Sequence, residues 1–245
     1  MPQVSVVIIT KNEECNIVDC IAAARKITAD VIVIDSGSID KTVKLAKAEN
    51  VKVKSINWEG YGHARNTGAT MAANDWIFSL DADERITDES AAIIKEISLA
   101  DECTVYGFKR INYFGDKKIR YGSFAHDRVF RLYNRRKSKW NAAPIHEKLI
   151  GDNLTRVMTP ANIIHYAIRV KSLYLQKISG YVILCALKYR QEKKRFVHMR
   201  SLISPAFSFL QGYIFQLGFL DKRPGFTIAR INAQHTRKKY RQLLA

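Results

Sequence analysis

Trp76-Ile77-Phe78-Ser79-Leu80-Asp81-Ala82-Asp83-Glu84 runs an apolar strand straight into three carboxylates. Acids at the end of such a strand are costly unless they are solvated, paired or bound to a metal. Two acids at i and i+2 can face one crevice. A hard divalent cation between them would hold a diphosphate there, bridging carboxylate and phosphate oxygens. An Asp-x-Asp pair alone most often marks a solvated loop, so its meaning depends on its surroundings.

Upstream, strand and helix signals alternate. Val4-Ser5-Val6-Val7-Ile8-Ile9 and Val31-Ile32-Val33-Ile34 are β-branched runs of the kind buried on both faces of a parallel sheet, and Val51 to Ile56 reads as a third strand. Helical spacing occurs around Ile17, Ile21 and Ala24. It recurs across Val43, Leu45, Ala46 and Ala48, with Asp40 placed as a cap, and over Gly62 to Ala73. Repeated βα units predict an α/β fold with a mainly parallel, twisted sheet flanked by helices. Ligands in such sheets bind beyond the carboxyl ends of the strands. Thr10, Asn12, Asp35, Asp81 and Asp83 fall there. The chain has no GxGxxG and no GxxxxGK[ST], which argues against a nicotinamide dehydrogenase or a P-loop kinase.

Four segments follow one another at βα spacing: Ser5-Val6-Val7-Ile8-Ile9-Thr10-Lys11-Asn12-Glu13-Glu14, Val33-Ile34-Asp35-Ser36-Gly37-Ser38-Ile39-Asp40-Lys41-Thr42, Ala64-Arg65-Asn66-Thr67-Gly68 and Asp81-Ala82-Asp83-Glu84. In that order they resemble the family 2 inverting glycosyltransferases, which have the GT-A fold, over at least residues 4–166. Trp140, Ile145-His146-Glu147 and the tail Gly218-Phe219-Leu220-Asp221-Lys222 with Gly225-Phe226 are similar to the bacterial β-glucosyltransferases of lipopolysaccharide inner-core assembly. Ile39 and Lys41 depart from the family's second motif, where Thr and Gly are usual.

The resemblance implies a site. Thr10, Asn12 and Glu13 would line the nucleotide pocket, with Asp35 directed to the base, and Arg65 would offset diphosphate charge. Asp81 would meet the ribose or the metal; Asp83 would bind the metal, Mg²⁺ or Mn²⁺, with His165 at the place where many GT-A enzymes supply a histidine. The implied donor is a nucleoside-diphosphate sugar, UDP-glucose favoured. Inversion needs a base to remove the acceptor hydroxyl proton and a means to stabilise the departing diphosphate. Glu147, the only acid between 128 and 151, is the candidate base, with Asp127 in reserve. The nearby Arg128, Arg131, Arg135, Arg136 and Lys139 also allow Glu147 to be a plain salt-bridge partner. His146 adjoins the proposed base, and His63 reads as a surface residue.

The 245 residues carry 40 Lys+Arg and 23 Asp+Glu, a net charge of +17, with 47% hydrophobic residues. That apolar fraction excludes a disordered basic tail. The charge is uneven: residues 1–100 sum to −4 and residues 101–245 to +21. From residue 101 the pattern changes, with Thr104 to Tyr113 and Arg128 to Tyr133 reading as strands of mixed or antiparallel pairing. Helical signals return near Leu173 and run, with a break at Pro205, towards Leu220. Ser201 to Leu220 has no charged residue and lies between Lys193-Lys194-Arg195, Arg200 and Lys222-Arg223, a pattern that fits an in-plane or re-entrant membrane segment. A dimer interface or buried helix pair would give the same run.

The expected organisation is a GT-A catalytic domain over 1–170, with a nucleotide-sugar half at 1–100 and an acceptor half at 101–170. A helical, basic, membrane-associating extension would cover 171–245. The acceptor would be an anionic glycolipid such as lipopolysaccharide core, and nucleic acid is not expected as a partner. A polyprenyl-phosphate sugar synthase is the nearest rival, and a basic nucleic-acid-binding protein the rival of another class. Cys15, Cys20, Cys103 and Cys185 show no metal spacing and read as small core residues of a reducing compartment. The Met1-Pro2-Gln3 start lacks signal-peptide regions, so the cytosol or its membrane face is expected.

Overall fold

A computed structural model of the chain describes residues 3–143, 147–169, 174–175, 182–185, 189–190 and 196–244. The apolar runs form strands at the expected places: β1 (Val4–Thr10), β2 (Val31–Asp35), β3 (Lys52–Ser55) and β4 (Trp76–Asp81). The helices between them are α1 (Ile17–Arg25), α2 (Thr42–Ala48) and α3 (Tyr61–Met71). After β4 come β5 (Glu84–Ile86), α4 (Asp88–Glu96), β6 (Thr104–Phe114), β7 (Lys117–Lys118), β8 (Arg128–Asn134), β9 (Lys139–Trp140), β10 (Leu149–Ile150) and β11 (Thr155–Ile168). Two helices close the chain, α5 (Val197–Leu210) and α6 (Lys222–Leu244).

The chain divides into two units, Met1–Arg110 with Arg128–His165 and Ile111–Asp127 with Tyr166–Ala245. Residues 111–127, expected within the acceptor half, thus group with the C-terminal residues. Strands β6 and β11 run from one unit into the other.

In the first unit the strand order is β3-β2-β1-β4-β8-β6-β11-β5. Pairing is parallel from β3 through β2 and β1 to β4, and antiparallel between β4 and β8, β8 and β6, and β11 and β5. Strands β1 and β2, apolar but for Ser5, Thr10 and Asp35, are buried on both faces, as parallel strands covered by helices must be. One layer of core packs Val6, Ile8, Val33 and Phe78 against Ile17 and Ile21 of α1; the other packs Val7, Ile32, Ile34 and Ile77 against Ala64 and Ala69 of α3. A Cβ on Gly68 would overlap Val7 Cγ1 and meet Ile34 Cγ1 at 3.0 Å, so glycine there lets α3 settle onto the sheet. Lys41 rather than Asp40 is the N-cap of α2; Asp40, one residue earlier, accepts at Oδ1 from Thr42 N (3.0 Å) and Thr42 Oγ1 (2.5 Å).

The second unit pairs β7 with the end of β6 and buries Ile119, Ile168 and Ile228 against Phe114 and Phe124. Pro205 does not end the helix there: α5 continues through it to Leu210, with the Pro205 backbone unable to donate and its ring set against the Ser201 carbonyl. The chain turns later, through a π-helical turn (Gln211–Phe215) and a 3-10 turn (Gly218–Asp221), with left-handed backbone at Leu217 (φ 59°) and Lys222 (φ 56°). Gly218-Phe219-Leu220-Asp221 with Gly225 makes a tight knot. A Cβ on Gly225 would collide with the Gly218 carbonyl, and the Asp221 carboxylate accepts from Arg120 N (3.0 Å) and Tyr121 N (2.8 Å). Cys20 and Cys185 are buried as expected, but Cys15 is exposed, on the loop after β1 where no core reaches it.

Candidate active site

Register places the polar strand ends side by side: Thr10 opposite Asp35, and Ile9 opposite Asp81. The loops after β1 and β2 are then laced together. Ser38 Oγ accepts from Asn12 N (2.8 Å), and Ile39 N donates to Asn12 Oδ1 (2.9 Å). Thr42 Oγ1 accepts from Glu13 N (2.8 Å), while Glu14 and Asp40 exchange bonds with Lys41 N (3.1 Å) and Glu14 N (3.1 Å). Asn12 adopts φ 55°, a conformation that asparagine tolerates better than most residues. Asp35 Oδ2 accepts from Gly37 N (3.1 Å) and Ser38 N (3.0 Å), and its Oδ1 accepts from Ser38 Oγ. Glu13 is buried and accepts from Asn16 Nδ2 at 2.7 Å. Thr10 Oγ1 is buried at the end of β1 without a hydrogen-bond partner.

At the end of β4 lies an ion network. Asp81 accepts from Arg65 Nη2 at 2.7 Å and from Arg131 Nη2 at 2.6 Å. Arg131 Nη2 also reaches Glu84 Oε1 at 2.9 Å, which Arg110 Nη1 meets at 3.2 Å, and Glu84 Oε2 accepts from Asp81 N at 2.9 Å. Burial pushes the Asp81 carboxyl pKa up, but Arg131, Arg65, Arg110 and His165 outweigh it and hold it far below the usual carboxylate range. Burial of Arg131 is likewise overcome by Asp81, Glu84 and Glu147, which keep its guanidinium charged.

Arg65 is 1% exposed, and its guanidinium lies 4.8 Å from the Trp140 ring centroid. The helix that carries it is clamped by Asn66, which donates to Trp140 O (2.8 Å) and accepts from Trp140 N (3.0 Å). Asn141 N donates to Lys148 O (3.0 Å), and Glu147 brings Oε1 to 3.5 Å from Arg65 Nε. The structure therefore joins Arg65, Asp81 and Glu147 in one cluster.

Asp83 and His165 also come together. Antiparallel pairing sets His165 opposite Glu84, and its Nε2 lies 3.6 Å from Asp83 Oδ1. Both side chains are about 15% exposed, neither sealed nor fully solvated. An oxygen and a nitrogen at that distance approach the separation of neighbouring ligands on one divalent ion, about 3 Å. Among the described residues no group of three or more metal-ligating side chains occurs.

Asp127 belongs to the second unit, where Asn112 Nδ2 donates to it at 3.3 Å. His63 is on the surface beside Glu59, as expected, and His146 lies outside the described residues. Sequence reasoning missed Glu84, Arg110 and the part Arg131 plays with Asp81. The signal was an arginine within the Arg128-Val129-Phe130-Arg131-Leu132-Tyr133 strand, since a cation on a buried strand face needs a buried carboxylate.

A parallel sheet with carboxylates at its strand ends and antiparallel strands continuing it defines a GT-A type nucleotide-sugar transferase fold. That fold is shared with a mannosyltransferase from Pyrobaculum calidifontis, solved in complex with GDP-Man and Mn²⁺, at a TM-score of 0.56 and 16% identity over 99% of this chain and 87% of that one. The chain belongs to glycosyl transferase family 2, whose family model matches residues 5–178. Relatives include an uncharacterized glycosyltransferase of Rickettsia typhi, 38% identical over 56% of this chain and 48% of its own length. The lipopolysaccharide core biosynthesis glycosyltransferase LpsC of Rhizobium meliloti is 24% identical over 96% of this chain and 93% of its length. The chain spans about half the length of the rickettsial relatives it matches.

Proposed function

We propose that the chain is a metal-dependent inverting glycosyltransferase. It moves a hexose, glucose favoured, from a nucleoside-diphosphate sugar such as UDP-glucose to an anionic glycolipid of the lipopolysaccharide-core type, at the cytoplasmic face of a membrane. The observation that carries this reading is the Asp83–His165 pair beside the Arg65–Asp81–Glu147 cluster, at the carboxyl ends of parallel strands. The full-length similarity to a lipopolysaccharide-core transferase supports the acceptor class, and the GDP-Man and Mn²⁺ complex of the mannosyltransferase supports the donor class.

Asp83 and His165 would hold Mg²⁺ or Mn²⁺, which supplies positive charge to the departing diphosphate. Thr10, with its unpartnered buried hydroxyl, and Asp35, Asn12 and Glu13 on the laced loops form the nucleotide side of the site. Arg65, nearly fully buried, adds charge through the field and through Asp81. Glu147 takes the acceptor hydroxyl proton as the acceptor oxygen bonds to the anomeric carbon and the bond from that carbon to the diphosphate oxygen breaks. Its contact with Arg65 ties it to the donor side, which favours it over Asp127. The test is a thermal-shift panel of nucleotide sugars with and without Mn²⁺. Stabilisation that needs both the metal and a nucleoside diphosphate, and that Asp83→Ala abolishes, is expected. Absence of stabilisation with every nucleotide sinks the donor assignment.

A further inference from the structure

Helix α5 presents a run of large apolar side chains to solvent. Met199, Leu202, Ile203, Phe207 and Leu210 recur at helical spacing and are exposed, Leu202 at 81% and Ile203 at 60%. Ser201, Ser204 and Ser208 lie half-buried between them, as do Val197, Pro205 and Phe209, while His198 and Arg200 of the first turn are exposed. No residue of α5 is buried. Helix α6 packs along α5 with its own apolar residues Ile228, Ala229 and Ile231 buried, and leaves Arg223, Arg230, Arg237, Lys238 and Arg241 exposed. Between the two helices, Phe215, Phe219 and Leu220 are also exposed.

We infer that this face is the seat of an anionic lipid bilayer surface, with α5 lying in the plane of the membrane. Charge selects that occupant. The second unit holds 19 Lys+Arg against 4 Asp+Glu, and the stripe on α6 offers cations without a single acid from Lys222 to Leu244. The 14 residues of α5 extend about 21 Å, short of a hydrocarbon core of about 30 Å; the π-helical turn Gln211–Phe215 continues the same run. Among the described residues no helix is long and apolar enough to cross a membrane. An in-plane helix with outward apolar side chains and cations alongside is the arrangement that gains from both acyl chains and headgroup charge.

This inference deepens the membrane part of the proposed function and rests on it for its meaning, but its test needs neither nucleotide nor metal. The full chain is floated on sucrose gradients with vesicles of phosphatidylcholine alone or with about one-third phosphatidylglycerol. The anionic vesicles should carry at least about ten-fold more protein, and the difference should shrink as salt is raised. The double variant Leu202→Glu/Phe207→Glu should lose flotation about ten-fold with unchanged circular dichroism and Tm, because both side chains are exposed. Arg230→Glu/Arg237→Glu should lower binding to anionic vesicles alone. Equal flotation on neutral vesicles, none on either, or a Leu202→Glu/Phe207→Glu variant that floats like the unsubstituted protein overturns the inference. So does a dimer, seen by light scattering, that the same variant dissociates while lipid binding is absent. If nucleotides fail to stabilise the chain yet vesicles bind it, the donor assignment alone is lost.

Discussion

Asp81 and Asp83 are two residues apart and have different fates. Asp81 is held by Arg65 and Arg131 within a network of three guanidiniums and three carboxylates, whereas Asp83 faces His165. Their apolar strand and spacing announced a shared crevice; the guanidiniums that claim Asp81 arrive from α3 and β8, and the strand pattern marks Arg131 as needing a carboxylate without saying which. Asp35 and Asn12 were likewise legible as strand-end residues, but not their use in tying two loops together. Asp30 was not singled out at all, though it ties together the opposite, amino ends of the parallel strands. Its Oδ2 accepts from Ser5 Oγ (2.6 Å) and Ala73 N (2.8 Å), and its Oδ1 pairs with Lys52 Nζ (2.9 Å). Burial pushes its pKa up, yet the bonds from Ser5, Ala73 and Lys52 win and leave it below the ordinary value. A depressed carboxyl contributes stability that is complete above its unfolded pKa, about 3.9, and is lost as pH falls through the folded value. Asp30→Asn should therefore cost about 1–2 kcal/mol near neutral pH, and the gap to the unsubstituted protein should narrow below about pH 4. Urea unfolding midpoints across that range measure it; a gap that widens in acid would contradict the assignment.

At the scale of elements, the βα repeats were legible because buried parallel strands are short apolar runs and the helices between them keep one apolar face. Strand β11 was not, since Pro160 and Asn162 interrupt its apolar run and its first residues are exposed. Helix α6 lies within the helical, basic stretch expected over 171–245, and Gly225, Ile228, Ala229 and Ile231 keep helical spacing on its buried side among seven cations. Where an element's position matters most to the site, a glycine sets it. Gly68 lies one turn after Arg65 on α3, and its missing side chain is the space occupied by Val7 and Ile34. Gly68→Val must lift α3 from the sheet, an overpacking cost of about 1–3 kcal/mol that the small difference in helix propensity does not offset. The same shift should draw Arg65 away from Asp81. We expect a Tm lowered by several degrees and a larger fractional loss of nucleotide-dependent stabilisation than of stability. A variant that loses stability but keeps full nucleotide response would place the Arg65–Asp81 bond outside the donor site.

The charge of the whole molecule is divided much as the fold is. The first unit is close to neutral, with 21 Lys+Arg and 19 Asp+Glu, and nearly all the surplus belongs to the second. A single basic surface for nucleic acid would not require that partition; the proposed carboxylate site in one unit and the proposed lipid-facing surface in the other would produce it. If each unit has its own ligand, each ligand should protect its own unit. Hydrogen exchange read by mass spectrometry separates them. A nucleoside diphosphate with Mn²⁺ should slow exchange in peptides covering residues 9–14, 35–42 and 81–86 and leave 197–244 unchanged. Anionic vesicles should do the reverse, since binding raises protection only where opening must release the ligand. At a ligand concentration about 100 times its Kd, the gain in local opening free energy is limited to about 2.7 kcal/mol, roughly a hundred-fold slowing, which the method resolves. Protection of 197–244 by the nucleotide, or of the strand ends by vesicles alone, would mean that the two surfaces are energetically coupled and that donor and membrane binding cannot be assigned to separate units.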